Sequence, residues 1–318
     1  MSQPVGITAV SPTTPQDVDR QLPLGDEIFL DHVAHFVRDA GAASKALVRA
    51  GFAPTPVSIQ VHPDGKGGTY PIGTGNVTAM FARGYIEFLF KTADTPLTQE
   101  FDALSGRYDG LHLAAFAVAD IERVHRRAAT TGFPVRPPVH MQRAVDSESG
   151  PQTAAFSIMR AEPGAMPEGR IQILTHHTEQ AVWQRRWLSH PNTAVGLIDL
   201  VIAVADVEEA IGRFARFTGR SAAPAKGGAL LRLDRGGILF ATHDALTELL
   251  PEITVTTLPF IAGYAVRVQS LATAEKVAEQ GDLEWRALDA GMVAAFPAAL
   301  GAGAWFFVEY AAALPWRS

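Results

Sequence analysis

The chain contains no cysteine among its 318 residues. That excludes disulfides, cysteine nucleophiles, thiolate zinc sites and iron–sulfur clusters together. Charge is also sparse. Charged residues make up 19%, and 27 basic against 33 acidic residues leave a net charge of −6. A mildly acidic chain offers no electrostatic case for nucleic acid or an anionic membrane surface. No HExxH or GxSxG motif is present, and Gly73-Thr74-Gly75-Asn76 lacks the strand–GxGxxG–helix setting of a nucleotide fingerprint; it reads as a bend before a strand. The start of the chain lacks a basic segment followed by an apolar core, so no signal peptide and a cytoplasmic location are expected. Residues 1–25, rich in Pro, Ser, Thr and Gln, are expected as a mobile tail. One uncharged run, Gly291 to Val308, approaches the length of a membrane span, but Pro297, Gly301 and Gly303 divide it. Two buried strands joined by a turn are expected there.

What is present is a repeat. Hydrophobic residues at 47% supply enough apolar surface for two domains at this length. LDHVAHFVRD, LHLAAFAVAD, LIDLVIAVAD and GYAVRVQS each read as an apolar strand, and an Asp or Ser follows or closes each one. After it come an Ala-rich amphipathic helix and a Gly: Gly51, Gly132, Gly219 and Gly281. The Asp or Ser suits a helix N-cap, and the Gly suits the positive φ that ends a helix. Strand-like runs separated by Gly turns follow each helix, so each unit is expected as βαβββ. Two such units side by side make a curved eight-stranded sheet around a cavity, with helices outside.

Four βαβββ units resemble the vicinal oxygen chelate superfamily, the glyoxalase/bleomycin-resistance/dioxygenase fold. LDHVAHFVRD, the Gly73–Asn76 stretch and Gly84-Tyr85-Ile86-Glu87-Phe88 resemble its glyoxalase-like domain branch, and Thr175–Ala194 resembles the junction of two-domain members. The resemblance implies an α+β fold with two domains of curved mixed sheets. Residues 26–178 would form the first domain, 179–195 a linking helix, and 196–318 a second, degenerate domain.

It also implies a divalent metal site (Fe, Mn, Ni or Zn) built from the first and last strands of paired units. His32 and Glu87 occupy those positions in the first unit. In the second unit the repeat places Leu113 over His32, so His112 is one residue out of phase, and only a β-bulge would turn it into the cavity. Gln172 stands where superfamily metalloenzymes carry Glu. The C-terminal units offer Asp199 and Gly263 at the first-strand position, then Leu239 and either Phe306 or Glu309 at the last. That is no ligand set. Asn76 and the junction residues His176, Trp183, Arg186 and His190 are candidate substrate contacts, since Arg and Trp suit carboxylate or aromatic groups. Each has a plainer alternative: an Arg partner for Glu87, a hydrogen-bonded core position for His32, packing for the junction aromatics.

Three functions are therefore expected in competition. The first is a glyoxalase-like metal-dependent lyase or isomerase acting on a small oxygenated molecule, with Glu87 moving the proton. The second is an Fe(II) dioxygenase, which needs His112 turned inward. The third is a metal-free small-molecule binding or resistance protein. A small-molecule substrate, no nucleic acid, no membrane, and a monomer or homodimer are the expected partners.

Overall fold

The computed structural model describes residues 19–63, 68–148 and 150–317. Of the expected tail, residues 1–18 lie outside them, as does the Asp64-Gly65 turn; within residues 19–25, Gln21 accepts from the Gly84 N–H and Arg235 donates to the Arg20 and Gln21 carbonyls. The first module is β1 (Ile28–Phe36), α1 (Ala40–Arg49), β2 (Ser58–Pro63), β3 (Thr69–Met80) and β4 (Tyr85–Lys91). A short helix, α2 (Gln99–Ser105), leads to β5 (Gly110–Val118), α3 (Ile121–Thr131), β6 (Val139–Ser147), β7 (Gly150–Arg160) and β8 (Arg170–His176). One helical turn, α4 (Glu179–Val182), leads on to β9 (Ala194–Ala203), α5 (Val207–Thr218), β10 (Ala222–Ala225), β11 (Gly228–Arg232) and β12 (Gly237–Ala241). After α6 (His243–Leu249) come β13 (Phe260–Val268), α7 (Leu271–Gln280), β14 (Trp285–Leu288), β15 (Gly291–Ala295) and β16 (Ala304–Val308). The fold is α+β, and every module is βαβββ. The uncharged run Gly291–Val308 forms two strands, and no helix among the described residues is long and apolar enough to cross a membrane.

Within each module the first strand pairs in parallel with the last. β1 pairs antiparallel with β5, and β9 with β13, so each half contributes eight strands, and the pairing of Ile261 on β13 with Leu111 on β5 joins the halves into one 16-stranded sheet. Asp39, Asp120, Asp206 and Ser270 cap the four long helices, each side chain accepting from a backbone N–H of the first turn. Positive φ follows at Gly51, Gly132 and Gly219. The fourth helix differs: Gly281 has φ −83, and Asp282 takes the positive φ. Gly281 is small for another reason. A Cβ there would lie 2.1 Å from the Arg49 carbonyl oxygen, where α7 meets α1.

One repeated contact fixes the register of all four modules. The glycine just before each last strand packs on a carbonyl of the first strand. Cβ atoms at Gly84, Gly169, Gly236 and Gly303 would lie 2.4–2.7 Å from the carbonyl oxygens of Asp31, His112, Ile198 and Ala262, with an aromatic carbon of Phe296 as close at Gly303. Pairing skips a residue at the same places, between Leu30 and His32 and between Leu113 and Leu111, so Asp31 and His112 are the bulged residues. His32, Leu113, Asp199 and Gly263 are therefore equivalent, and the pairing of Ala265 with Phe306 makes Phe306 the counterpart of Glu87. Glu309 instead accepts the backbone N–H of Leu271.

Three departures from the sequence reading matter for the site. Gly73–Asn76 is no bend: β3 runs through it, paired with β4 from Thr74 to Met80. The expected linking helix is a single turn, because Trp183 leaves helical φ/ψ and Gln184 is extended; a 3-10 turn at Arg185–Trp187 follows. Finally, α2 and α6 carry no repeat signal, yet they fill the concave faces. Phe101 of α2 stacks on Phe36 at 4.4 Å, within a cluster of Ala34, Leu89, Leu113, Ala115 and Leu174. Leu246 of α6 joins Leu314 and Trp316 over the second sheet. There Asp199 is fully buried and accepts from Trp316 Nε1 and, through both carboxylate oxygens, from Arg317. The chain's own C-terminal segment occupies the second cup.

The halves are joined by a buried polar network. His35 Nδ1 donates to the Leu300 carbonyl, and Tyr264 OH donates to His35 Nε2 while accepting from Trp305 Nε1. Burial holds His35 neutral, with its pKa pushed down to about 3, and lowers His112 to about 4. In the unfolded chain both titrate near 6.5. The folded values are the lower ones, so this stability is fully present above pH 6.5 and is lost as pH falls towards 4. Between pH 7 and pH 5 the pair is expected to cost about 3–4 kcal/mol, at about 1.4 kcal/mol per pH unit and group below 6.5. Urea unfolding at the two pH values measures it; an unchanged midpoint would refute the assignment.

Candidate active site

The concave face of the first half follows from strand alternation. His32, Ala34 and Phe36 share one side of β1, and Tyr85, Glu87 and Leu89 one side of β4. Pairing sets His32 beside Tyr85 and Ala34 beside Glu87. The bulge adds Asp31, whose carboxylate would otherwise point away from its neighbour. Asp31 Oδ2 accepts from His32 Nδ1 at 2.8 Å, and both its oxygens lie 3.2 Å from His176 Nε2. Asp31 is fully buried. Burial alone would raise its pKa, but the charge and hydrogen bond of His176, together with the hydrogen bond from His32, hold the carboxyl well below the usual range.

The tautomer of His32 follows. With Nδ1–H given to an ionised carboxylate, a neutral His32 presents a lone pair at Nε2. That nitrogen is 3.9 Å from Glu87 Oε2, too far for a hydrogen bond. Glu87 Oε1 is held separately by Asn76 Nδ2 at 2.6 Å. Two acceptors thus face each other in a buried setting, His32 being 4% and Glu87 6% exposed. Such a pair suits a shared proton or a cation.

Aromatic rings enclose the cluster. Tyr85 stacks on His32 at 4.4 Å, and Trp183 sets its edge against both Tyr85 and His176. Burial, with Asp31 and Glu87 close by, raises the Tyr85 phenol well above its ordinary pKa, so it stays a donor. His176 Nδ1 and Trp183 Nε1 are buried with no hydrogen-bond partner among the described residues. Arg143, whose charge reaches Tyr85, bonds Ser58 Oγ at 3.3 Å and so joins edge strands β2 and β6 across the mouth.

The comparisons with known proteins bear on this geometry. A sequence profile of the glyoxalase-like domain matches residues 30–218. This chain belongs to the glyoxalase-like domain family. With it goes the vicinal oxygen chelate superfamily, whose architecture recurs in solved structures. A hypothetical protein from Staphylococcus aureus superposes with TM-score 0.60 at 9% identity, covering 88% of this chain and 98% of that one. A catechol 2,3-dioxygenase gives TM-score 0.50 at 13% identity, covering 87% and 86%. A triple mutant of 4-hydroxymandelate synthase from Streptomyces coelicolor gives 0.50 at 14%, covering 88% and 91%. At these identities the likeness is one of fold. No curated protein sequence matches the chain.

Within this glyoxalase-like chain the other candidate residues lie as follows. His112 takes the place of Asp31, not of His32. It donates from Nε2 to the Tyr108 carbonyl and packs against Tyr108 and Phe36, and its Nδ1 has no partner among the described residues. The bulge is present, but at His112 itself, so it does not bring this ring beside His32. Gln172 lies two strands away, since His32 pairs with Ala115 and Ala115 with Gln172. Its Oε1 accepts from Arg160 Nε at 3.4 Å. His190 accepts from Ala53 N and donates to the Met80 carbonyl, which uses both ring nitrogens in packing. Arg186 bonds the Asp146 carbonyl and covers Trp187, outside the cluster.

Among the described residues no three His, Asp or Glu side chains converge as a complete metal ligand set. The chemistry of two donors still fits a divalent ion. His32 Nε2 and Glu87 Oε2 face each other, and Asp31 on the other ring nitrogen is the outer partner that metal-bound imidazoles use. Sequence reasoning missed Asp31, because alternation points it away. The only signal was an Asp-His pair inside an apolar strand.

Proposed function

We propose that this chain is a glyoxalase-like metal-dependent enzyme acting on a small oxygenated organic molecule by lyase or isomerase chemistry. The observation that supports it is the pair His32 Nε2 and Glu87 Oε2, 3.9 Å apart, with Asp31 on His32 Nδ1. These two residues would hold the ion, and when bound it supplies Lewis acidity toward a carbonyl oxygen. Asp31 orients the His32 ring and fixes its tautomer. Asn76 pins one oxygen of Glu87 and leaves Oε2 to take or return a proton. Tyr85 and Trp183 keep bulk water from that oxygen and offer O–H and N–H donors to the substrate. A dioxygenase reading needs a second imidazole beside His32, and His112 does not supply it.

Plasma mass spectrometry on protein reconstituted with Fe(II), Mn, Ni or Zn tests this reading. Near-stoichiometric metal in the wild type, lost in His32→Ala and Glu87→Ala, is the expected result. No retention of any of the four ions would sink it. A second reading, a metal-free binding protein, is favoured by the Asn76–Glu87 hydrogen bond and by the lack of a third converging donor among the described residues. It would then be the account to pursue.

A further inference from the structure

A second polar feature lies away from the His32–Glu87 pair. Between α2 and the β7–β8 connection is a cavity of about 220 Å³. Three guanidiniums line it: Arg136, Arg160 and Arg170. Arg136 is 3.5 Å from Glu162, and Arg170 is 3.0 Å from Glu100. Both carboxylates line the same cavity. Arg160 has no carboxylate within ion-pair distance among the described residues; its one side-chain hydrogen bond, at 3.4 Å, is to Gln172. Three cations against two anions leave one net positive charge, and it sits on a largely buried side chain. Burial, with Arg170 close by, pushes the Arg160 pKa down to about 10. An unpaired buried charge is costly, and an anion in the cavity would offset that cost.

The remaining wall sets the size and character of the ligand. Leu104, Met166 and Ile171 contribute apolar surface. The volume falls below the roughly 300–1,000 Å³ of pockets for drug-sized ligands. A single net charge beside apolar side chains suits one carboxylate on a compact apolar body better than a phosphate. Arg presents a planar fork that matches a carboxylate.

We infer that the cavity between α2 and the β7–β8 connection binds a small apolar carboxylate, with the Arg160 guanidinium as its anchor. The cavity is lined from β8 and β7, two and three strands from β1 or about 10–14 Å along the sheet at 4.8 Å per strand, and none of its lining residues is His32 or Glu87, so it does not depend on a metal there.

Calorimetric titration of the full chain with benzoate tests it, with benzamide and inorganic phosphate as comparison probes. Benzoate is expected to bind saturably with a dissociation constant on the order of 1 mM. Benzamide should not bind, and phosphate should bind more weakly than benzoate. Arg160→Gln is expected to weaken benzoate about 10-fold or more, through loss of a charge-assisted pair. Arg160→Lys, which keeps the charge, should fall between and is the variant to read if circular dichroism shows Arg160→Gln misfolded. Glu87→Gln should bind benzoate as the wild type does. Benzoate binding unchanged in the Arg160 variants would overturn the inference. So would equal binding of benzamide, phosphate binding tighter than benzoate, loss confined to Glu87→Gln, or no saturable benzoate binding at all.

Discussion

Glu87→Gln is expected to fold normally and to lose divalent-metal affinity by more than about 100-fold, beyond the 10–100-fold typical of an outer partner. The variant keeps the shape of the side chain and the Asn76 hydrogen bond to Oε1. What changes is the atom facing His32. An amide nitrogen there turns N–H groups toward His32 Nε2 and carries no lone pair or charge to offer an ion, so one of the two facing donors to a metal is lost. Asp31→Asn makes the comparison informative. Asn can accept from His32 Nδ1 but carries no charge, so the ring is less basic and less firmly held. Its metal affinity should fall about 10–100-fold, less than for Glu87→Gln. Titration with Mn(II) reads both variants. Equal affinities across wild type, Glu87→Gln and Asp31→Asn would exclude this pair as the site.

The second large effect concerns stability. Arg213→Met is expected to destabilise the protein by about 3–5 kcal/mol, the usual cost of stranding one partner of a buried ion pair. Arg213 on α5 donates from both terminal nitrogens to Glu168, at 2.6 and 2.9 Å, and Glu168 in the β7–β8 connection is fully buried. Burial would lower the Arg213 pKa, but its hydrogen bonds to Glu209 and Glu168 raise it, so the guanidinium stays charged. The contact ties the third module to the second. Most of the cost should be the uncompensated Glu168 carboxylate, not the lost attraction. Arg213→Met/Glu168→Met should therefore recover most of the loss in urea unfolding. A single variant as stable as wild type, or a double variant worse than the single, would contradict this account.

Much of the fold was legible because the repeat carries its own register. The spacing of strand, Asp cap and helix-ending Gly placed His32, Leu113, Asp199 and Gly263 in equivalent positions, and the glycine contacts before each last strand show the same equivalence. His32 and Glu87 were legible for the same reason, since period-two alternation holds from His32 to Phe36 and along β4. Asp31 was not, because a bulge suspends that alternation and no residue type announces one. The same physics explains His112: its odd phase was readable, but not that the bulge would turn it onto Tyr108. Helices α2 and α6 were hidden because they lie between repeats and bury short apolar faces inside the cups. β10 (Ala222–Ala225) was hidden by its brevity and by Pro224. Trp183 was legible as an aromatic near the junction. That it would end a helix after one turn to pack on Tyr85 and His176 depends on tertiary contacts alone.

X-ray absorption on Co(II)-loaded protein tests the central claim most directly, because it reports the ligands of the ion itself. The account predicts an imidazole nitrogen and a carboxylate oxygen in the wild-type spectrum, with the imidazole signal absent in His32→Ala. An imidazole signal that persists unchanged in His32→Ala would contradict it.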